Sequence, residues 1–208
     1  MHPQPRLYHL QMEAVTAFVL AGGKSSRMGC DKALLDVAGR PLLRHAIELV
    51  GAVTGNVRIV GDPAKYGSFG SVIRDIYHDR GPLGGIHAAL DNSNTDLNLI
   101  LATDLPFVEP EFLRHLIAIA EATKALVTVP QVGPHFEPLC AVYRKPFAEI
   151  VEAALSDNRN KVDALFAEVA TRTVAEAEIV AAGFSPAMFR NLNTPQEWQQ
   201  ATDQFLGL

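Results

Sequence analysis

The sequence predicts an α/β protein, a three-layer α/β/α sandwich around a mostly parallel sheet, and three observations support this. Apolar runs of strand length alternate with amphipathic helical stretches from Val15 to Pro130, the order that builds parallel strands joined by helical crossovers. The most apolar run, Leu97 to Ala102, is too short to span a bilayer and suits a central strand buried on both faces. With 208 residues, 48% hydrophobic and 20% charged, the chain can bury one sizeable core.

No repeat, low-complexity tract or charged tail marks an internal boundary. Residues 13–208 therefore read as a single domain, and residues 1–12 as a flexible N-terminal extension without a signal-peptide pattern. A formal net charge of −5 gives no global field that would attract nucleic acid or an anionic membrane, so neither is expected as a partner. Two cysteines, Cys30 and Cys140, make no disulfide framework; as free thiols they fit a reducing cytoplasm.

The first strand, Val15 to Leu20, runs straight into LAGGKSSRMGCDK, Leu20 to Lys32. These 13 residues hold three glycines and three cations, Lys24, Arg27 and Lys32. A strand ending in Gly-Gly leaves the backbone free for φ > 0, so successive N–H groups can converge on an anion. Lys and Arg then neutralise charge that amide dipoles only partly offset. A Walker A loop is excluded because Gly29 is followed by Cys30 and Asp31. The dinucleotide fingerprint is excluded because Gly22 and Gly23 are adjacent and the next glycine is Gly29.

After Leu34 to Val37 comes Gly39-Arg40-Pro41, with the proline suited to the first turn of a helix through LLRHAIELV. His45 on that helix reads as a surface or packing residue. Asn56 to Val60 is a strand with Gly61-Asp62-Pro63 as its turn, and Val72-Ile73 continues the rhythm toward Asp75. A segment rich in glycine and proline, Asp79 to Gly85, then leads into a second helix at IHAALDN, whose N-terminal amides can meet a ligand. On spacing alone, Asp75 and Asp79 are turn or capping residues.

The central run Leu97 to Ala102 ends in Thr103-Asp104-Leu105-Pro106. Open α/β sheets bind ligands beyond the carboxyl ends of their strands, which puts Asp104 on the same edge as the Gly-rich loop. A carboxylate there can hold the Mg²⁺ that accompanies nucleoside triphosphates, or can simply start a turn before proline. Pro110 to Ala122 is a helix, Ala125 to Pro130 a strand, and Gln131 to Glu137 a loop. Leu139 to Tyr143 is a strand able to pair antiparallel, and Pro146 to Leu155 a helix. Arg159 and Lys161 lie in a polar break and read as a solvated turn. Near the end, Arg190-Asn191-Leu192-Asn193-Thr194-Pro195 precedes a helix from Gln196, with Thr194 as cap.

The string L-A-G-G-x-S-x-R-M-G-x-D-K resembles the signature of the nucleotidyltransferases with a GT-A-like fold, and most closely that of the molybdenum cofactor guanylyltransferases. G-P-L-x-G after Arg80, T-D-x-P at Thr103 and N-x-N-T-P at Asn191 extend the resemblance from Val15 to about Gln200. It implies a nucleotide-diphospho-sugar transferase-like fold with a Rossmann-like nucleotide-binding half. The implied reaction transfers GMP from GTP to molybdenum-molybdopterin with Mg²⁺ and releases pyrophosphate, beside cofactor-delivery or acceptor enzymes as partners. Carried over residue by residue, Arg27, Lys32 and Asp104 are catalytic. Leu20, Ala21, Gly22, Gly23, Lys32, Asp75 and Asp104 bind the nucleotide, with Asp104 holding the metal. Asn191, Asn193, Glu137 and His135 fall on the acceptor side. Cys30 takes a variable position, and Asp79 stays a cap. Two alternatives remain open: a cytidylyltransferase acting on molybdopterin or another small phosphorylated acceptor, and a nucleotide-binding accessory protein without turnover.

Overall fold

A computed structural model describes residues 14–22, 31–77, 80–192 and 197. The sheet is built around Val15–Ala21 (β1), buried at all seven positions. It pairs in parallel with Leu97–Ala102 (β6) on one side and Val57–Gly61 (β4) on the other. A strand paired on both edges and covered on both faces has no position left for a polar side chain that lacks a partner, hence VTAFVLA and LNLILA. Val72–Ile73 (β5) extends this parallel half beyond β4. On the far side of β6 lies Cys140–Arg144 (β9), antiparallel both to β6 and to Val127–Val132 (β7). Thr171–Ala175 (β10) closes that edge parallel to β7. The order is β10-β7-β9-β6-β1-β4-β5, with His135–Phe136 (β8) hairpinned onto β7 as an eighth strand. Asp36–Val37 (β2) and Arg40–Pro41 (β3) form a separate ribbon.

Helices cover both faces. Val15, Ala17 and Val19 of β1 pack with Leu43, Ala46 and Val50 of Leu42–Gly51 (α1), and with Phe112 and Leu116 of Pro110–Glu121 (α4). Phe18 and Ile100 point the opposite way, toward Leu83 and Ile86 of Pro82–Asp91 (α3) and Phe147 and Val151 of Phe147–Ser156 (α5). The three-layer sandwich expected from the alternation is the architecture observed. A short helix, Pro63–Tyr66 (α2), follows β4. At the edge where β1 and β6 begin, buried polar groups satisfy one another. Thr16 N–H donates to Thr95 Oγ1 (3.1 Å), Thr95 Oγ1 lies 2.8 Å from Thr16 Oγ1, Ser93 bonds the Asn98 side chain, and Asn98 Nδ2 reaches the Tyr143 carbonyl (3.3 Å).

Several boundaries differ from the sequence reading. Pro41 is the N-cap of α1, at φ −59° and ψ 142°, rather than its first helical residue. Helix α3 begins at Pro82, so Gly84 and Gly85 sit inside its first turns instead of leading into it. Its N-cap is Gly81 at φ +63°, with no side-chain cap. A left-handed N-cap suits glycine, and Asp79, read as the cap, lies outside the described residues. The segment read as a loop over Gln131 to Glu137 contains β8. Both β10 and the helix Glu176–Ala181 (α6) were absent from the sequence reading. The extension 1–12, Thr194 and the start of the helix from Gln196 lie outside the described residues. Among the described residues, no helix is long and apolar enough to cross a membrane.

Candidate functional site

The parallel strands β1, β4, β5 and β6 end at one edge of the sheet, and a cleft of about 650 Å³ opens there. Leu20, Val60 and Ala102 make its apolar floor; Asp31, Lys32, Asp75 and Asp104 supply its charges. Three segments far apart in sequence thus meet because parallel strands deliver their ends to the same place. Gly22 lines the cleft, whereas Ala21 is wholly buried in the layer under α1.

Lys32 opens a 3₁₀ turn, Lys32–Leu34, capped by Asp31, whose Oδ1 accepts the Ala33 N–H at 3.2 Å. The other carboxylate oxygen, Oδ2, accepts the Tyr66 hydroxyl at 2.8 Å and lies 3.2 Å from Lys65 Nζ. Tyr66 is 3% exposed, and burial with the Asp31 hydrogen bond raises its phenol well above the ordinary range. Its ring packs against Gly61, where an added Cβ would meet two ring carbons and the Ala21 carbonyl oxygen at 2.7 Å.

Asp75 follows β5, with Oδ1 accepting the Tyr77 N–H at 2.8 Å. Its carboxylate lies against α3: a Cβ on Gly84 would meet Oδ2 at 2.8 Å and Oδ1 at 3.1 Å. A Cβ on Gly85 would meet the Leu20 methyls at 3.4 and 3.5 Å. The paired glycines strip the helix where β1 and Asp75 approach it. Gly81 and Pro82 at its N-terminus line the cleft, and among the described residues no side chain caps the helix, so its positive end faces the cavity.

Asp104 stands just beyond β6. Burial pushes its carboxyl up while Lys32 nearby pulls it down. Glu137 is close enough to Asp104 to feel its charge; burial and that repulsion push it up to about 7. The two meet because Ala102 N–H donates to the Leu139 carbonyl (2.8 Å), tying the end of β6 to the start of β9. Among the described residues no three His, Cys, Asp or Glu side chains converge as a metal cage. One or two carboxylates with space beside them suit a hard divalent cation that keeps waters and takes further oxygens from phosphate.

The remaining candidates separate clearly. Gly23, Arg27, Cys30 and Asn193 lie outside the described residues, and Asn191 is exposed beside the buried Leu192. His135 is exposed on β8. His45 is half-buried on α1 with its pKa lowered by desolvation. Arg159 pairs with Glu168 at 2.6 Å, in keeping with a solvated turn. Cys140 is a free thiol, fully buried, raised by desolvation. The sequence reading gives no site role to Asp31, whose place in the D-K pair could have marked it, to Tyr66, which carries no local signal, or to Gly84, which it takes only as part of a helix entry.

Three comparisons bear on this arrangement. Residues 17–173 match the family model described as the MobA-like NTP transferase domain. A probable molybdenum cofactor guanylyltransferase of Pelotomaculum thermopropionicum is 35% identical over 192 residues, 91% of this chain and 93% of that one. The molybdenum cofactor guanylyltransferase of Syntrophotalea carbinolica is 33% identical over 201 residues, 95% of each. The crystal structure of molybdopterin-guanine dinucleotide biosynthesis protein A from Archaeoglobus fulgidus superposes with a TM-score of 0.81, covering 93% of this chain and all of that one. At 24% identity it bears on the fold alone.

Proposed function

The chain belongs to the MobA-like NTP transferase family, as a nucleotidyltransferase of molybdenum cofactor biosynthesis, and on that premise we propose that it transfers GMP from GTP to molybdenum-molybdopterin. The observation that carries this reading is the convergence of Lys32, Asp75 and Asp104 on one cleft of about 650 Å³, large enough for a nucleotide.

An oxygen of the molybdopterin phosphate attacks the α-phosphorus of GTP. The bond from that phosphorus to the bridging oxygen breaks, and its electron pair leaves with pyrophosphate. A phosphate nucleophile is already anionic near neutral pH, so no general base is needed, and catalysis reduces to alignment and charge screening. Lys32, with Arg27, would neutralise charge building on the α-phosphate and leaving group, each worth about 2–4 kcal/mol of barrier. Backbone N–H groups from Leu20 to Gly23 and the N-terminus of α3 would seat the phosphates, and Asp75 would accept hydrogen bonds from the nucleoside. Asp104 would hold Mg²⁺, which when bound screens repulsion between the two polyanions. Asn191, Asn193 and Glu137 are assigned to the acceptor side.

The test is thermal stabilisation of the protein by GTP, CTP, ATP and UTP, each with and without Mg²⁺. Ligand at 100 times its Kd adds about 2.7 kcal/mol of stability. GTP should stabilise most, and Asp104→Asn should remove the increment due to Mg²⁺. Preferential stabilisation by CTP would overturn the choice of guanine, and no shift with any nucleotide would overturn the site.

A further inference from the structure

The catalytic reading of Lys32 raises the question of what holds this cation in place. Its neighbour Asp31 spends both carboxylate oxygens on the protein: one on the turn that carries Lys32, the other on Tyr66 and Lys65. Tyr66 is anchored in turn. It is buried on α2, whose N-cap Asp62 accepts the Ala64 N–H at 3.0 Å, and its ring covers Gly61 at the end of β4. Gly61 is the register partner of Ala21, the last residue of β1. One aromatic side chain therefore links two segments: its ring packs on Gly61, the register partner of the last residue of β1, and its hydroxyl bonds Asp31, the residue before Lys32.

We infer that Asp31 and Tyr66 are positioning residues that fix Lys32 relative to the end of β1, an inference that rests on the catalytic role assigned to Lys32. Asp31 lines the cleft, but both its carboxylate oxygens are engaged by the protein, and Tyr66 lies behind it. A neutral hydroxyl donating to the carboxylate fixes direction without adding charge to the cleft, and the backbone bond to Ala33 passes that direction to the next residue. A flexible lysine held this way loses less freedom on reaching a phosphate. The arrangement favours charge stabilisation in the transition state over nucleotide affinity.

The experiment is a double-mutant cycle between Tyr66→Phe, which removes only the hydroxyl, and Lys32→Ala, reading kcat for pyrophosphate release with GTP and molybdenum-molybdopterin. Binding of GTP is followed separately by calorimetry. Tyr66→Phe should lower kcat about tenfold with GTP affinity within about twofold, and should cost almost nothing further once Lys32 is alanine. Asp31→Asn, which keeps an acceptor for Ala33 N–H, should follow Tyr66→Phe. Equal losses from Tyr66→Phe in both backgrounds, or no loss in the wild type while Lys32→Ala is impaired, would overturn the inference alone. An unimpaired Lys32→Ala would overturn the role of Lys32 and this inference together.

Discussion

Gly84→Ala is the sharpest single test of how Asp75 is held. In most helices the change would stabilise, because alanine is favoured over glycine by about 1 kcal/mol. Here the new Cβ would sit 2.8 and 3.1 Å from the Asp75 carboxylate oxygens and 2.9 Å from the Tyr77 carbonyl oxygen. Overpacking of this kind costs about 1–3 kcal/mol. If Asp75 swings aside, its 2.8 Å bond from Tyr77 N–H is lost as well, for about 1 kcal/mol more. The net is a destabilisation of about 2 kcal/mol, a fall of roughly 4–8 °C in Tm for a chain of this size. On the role proposed for Asp75, its displacement would also forfeit a hydrogen bond to the nucleoside worth about 1.5–3 kcal/mol, so GTP should bind about 10- to 100-fold more weakly. Calorimetric titration and a melting curve on the same sample read both numbers. Gly51→Ala is the control: it ends α1 with nothing within 4 Å of an added Cβ, and should be neutral or slightly stabilising. A Gly84→Ala protein as stable as wild type, with unchanged GTP affinity, would refute the packing argument.

Glu137 gives the fold a pH dependence. Its folded carboxyl is pushed from 4.5 up to about 7, so the native state binds a proton the unfolded state has released. Stability from this group is complete below about pH 4.5 and is lost as pH rises toward 7. Glu137→Gln should therefore be more stable than wild type at pH 8 by about 1–3 kcal/mol and equal to it near pH 4, as chemical denaturation at the two pH values will show. In the core, Phe112 meets Phe184 and Phe189 edge-on at 5.3 and 5.4 Å and is fully buried. Phe112→Ala should lower the free energy of unfolding by about 3–5 kcal/mol, as urea denaturation will show.

Much of the fold was legible because β1 and β6 are buried on both faces and so are apolar except at Thr16 and Asn98, whose side chains are hydrogen-bonded. The amphipathic helices α1 and α4 were equally plain, since each buries one stripe. β10 escaped because an edge strand half-exposed at Thr171, Arg172 and Thr173 has no continuous apolar run. β8 escaped because two residues between Gly133 and Pro138 look like loop, and only pairing with β7 makes them strand. Of the residues that the family resemblance names, Lys32, Asp75 and Asp104 line one cleft, although spacing alone makes Asp75 a turn or capping residue. Tyr66 was not legible, because its partner Asp31 is 35 residues away and the bond exists only once β4 lies beside β1. Gly84 was read as part of the approach to a helix, when its meaning is the space it leaves for Asp75.

The placement of β1 at the middle of the sheet has a cost during synthesis. β4 emerges from the ribosome soon after β1 and can cover one of its edges, but the other edge waits for β6. Thr16 and its partner Thr95 are 79 residues apart. At about 5–20 residues per second that is an interval of several seconds with a largely apolar strand exposing unpaired amides and carbonyls. The polar clasp of Thr16, Thr95, Ser93 and Asn98 lies at the N-terminal ends of those two strands, where a one-residue slip would leave hydroxyl and amide groups buried without partners. The clasp thus acts as a proofreading device for strand register, rejecting the wrong pairing of two sequences whose apolar runs alone could slide past one another.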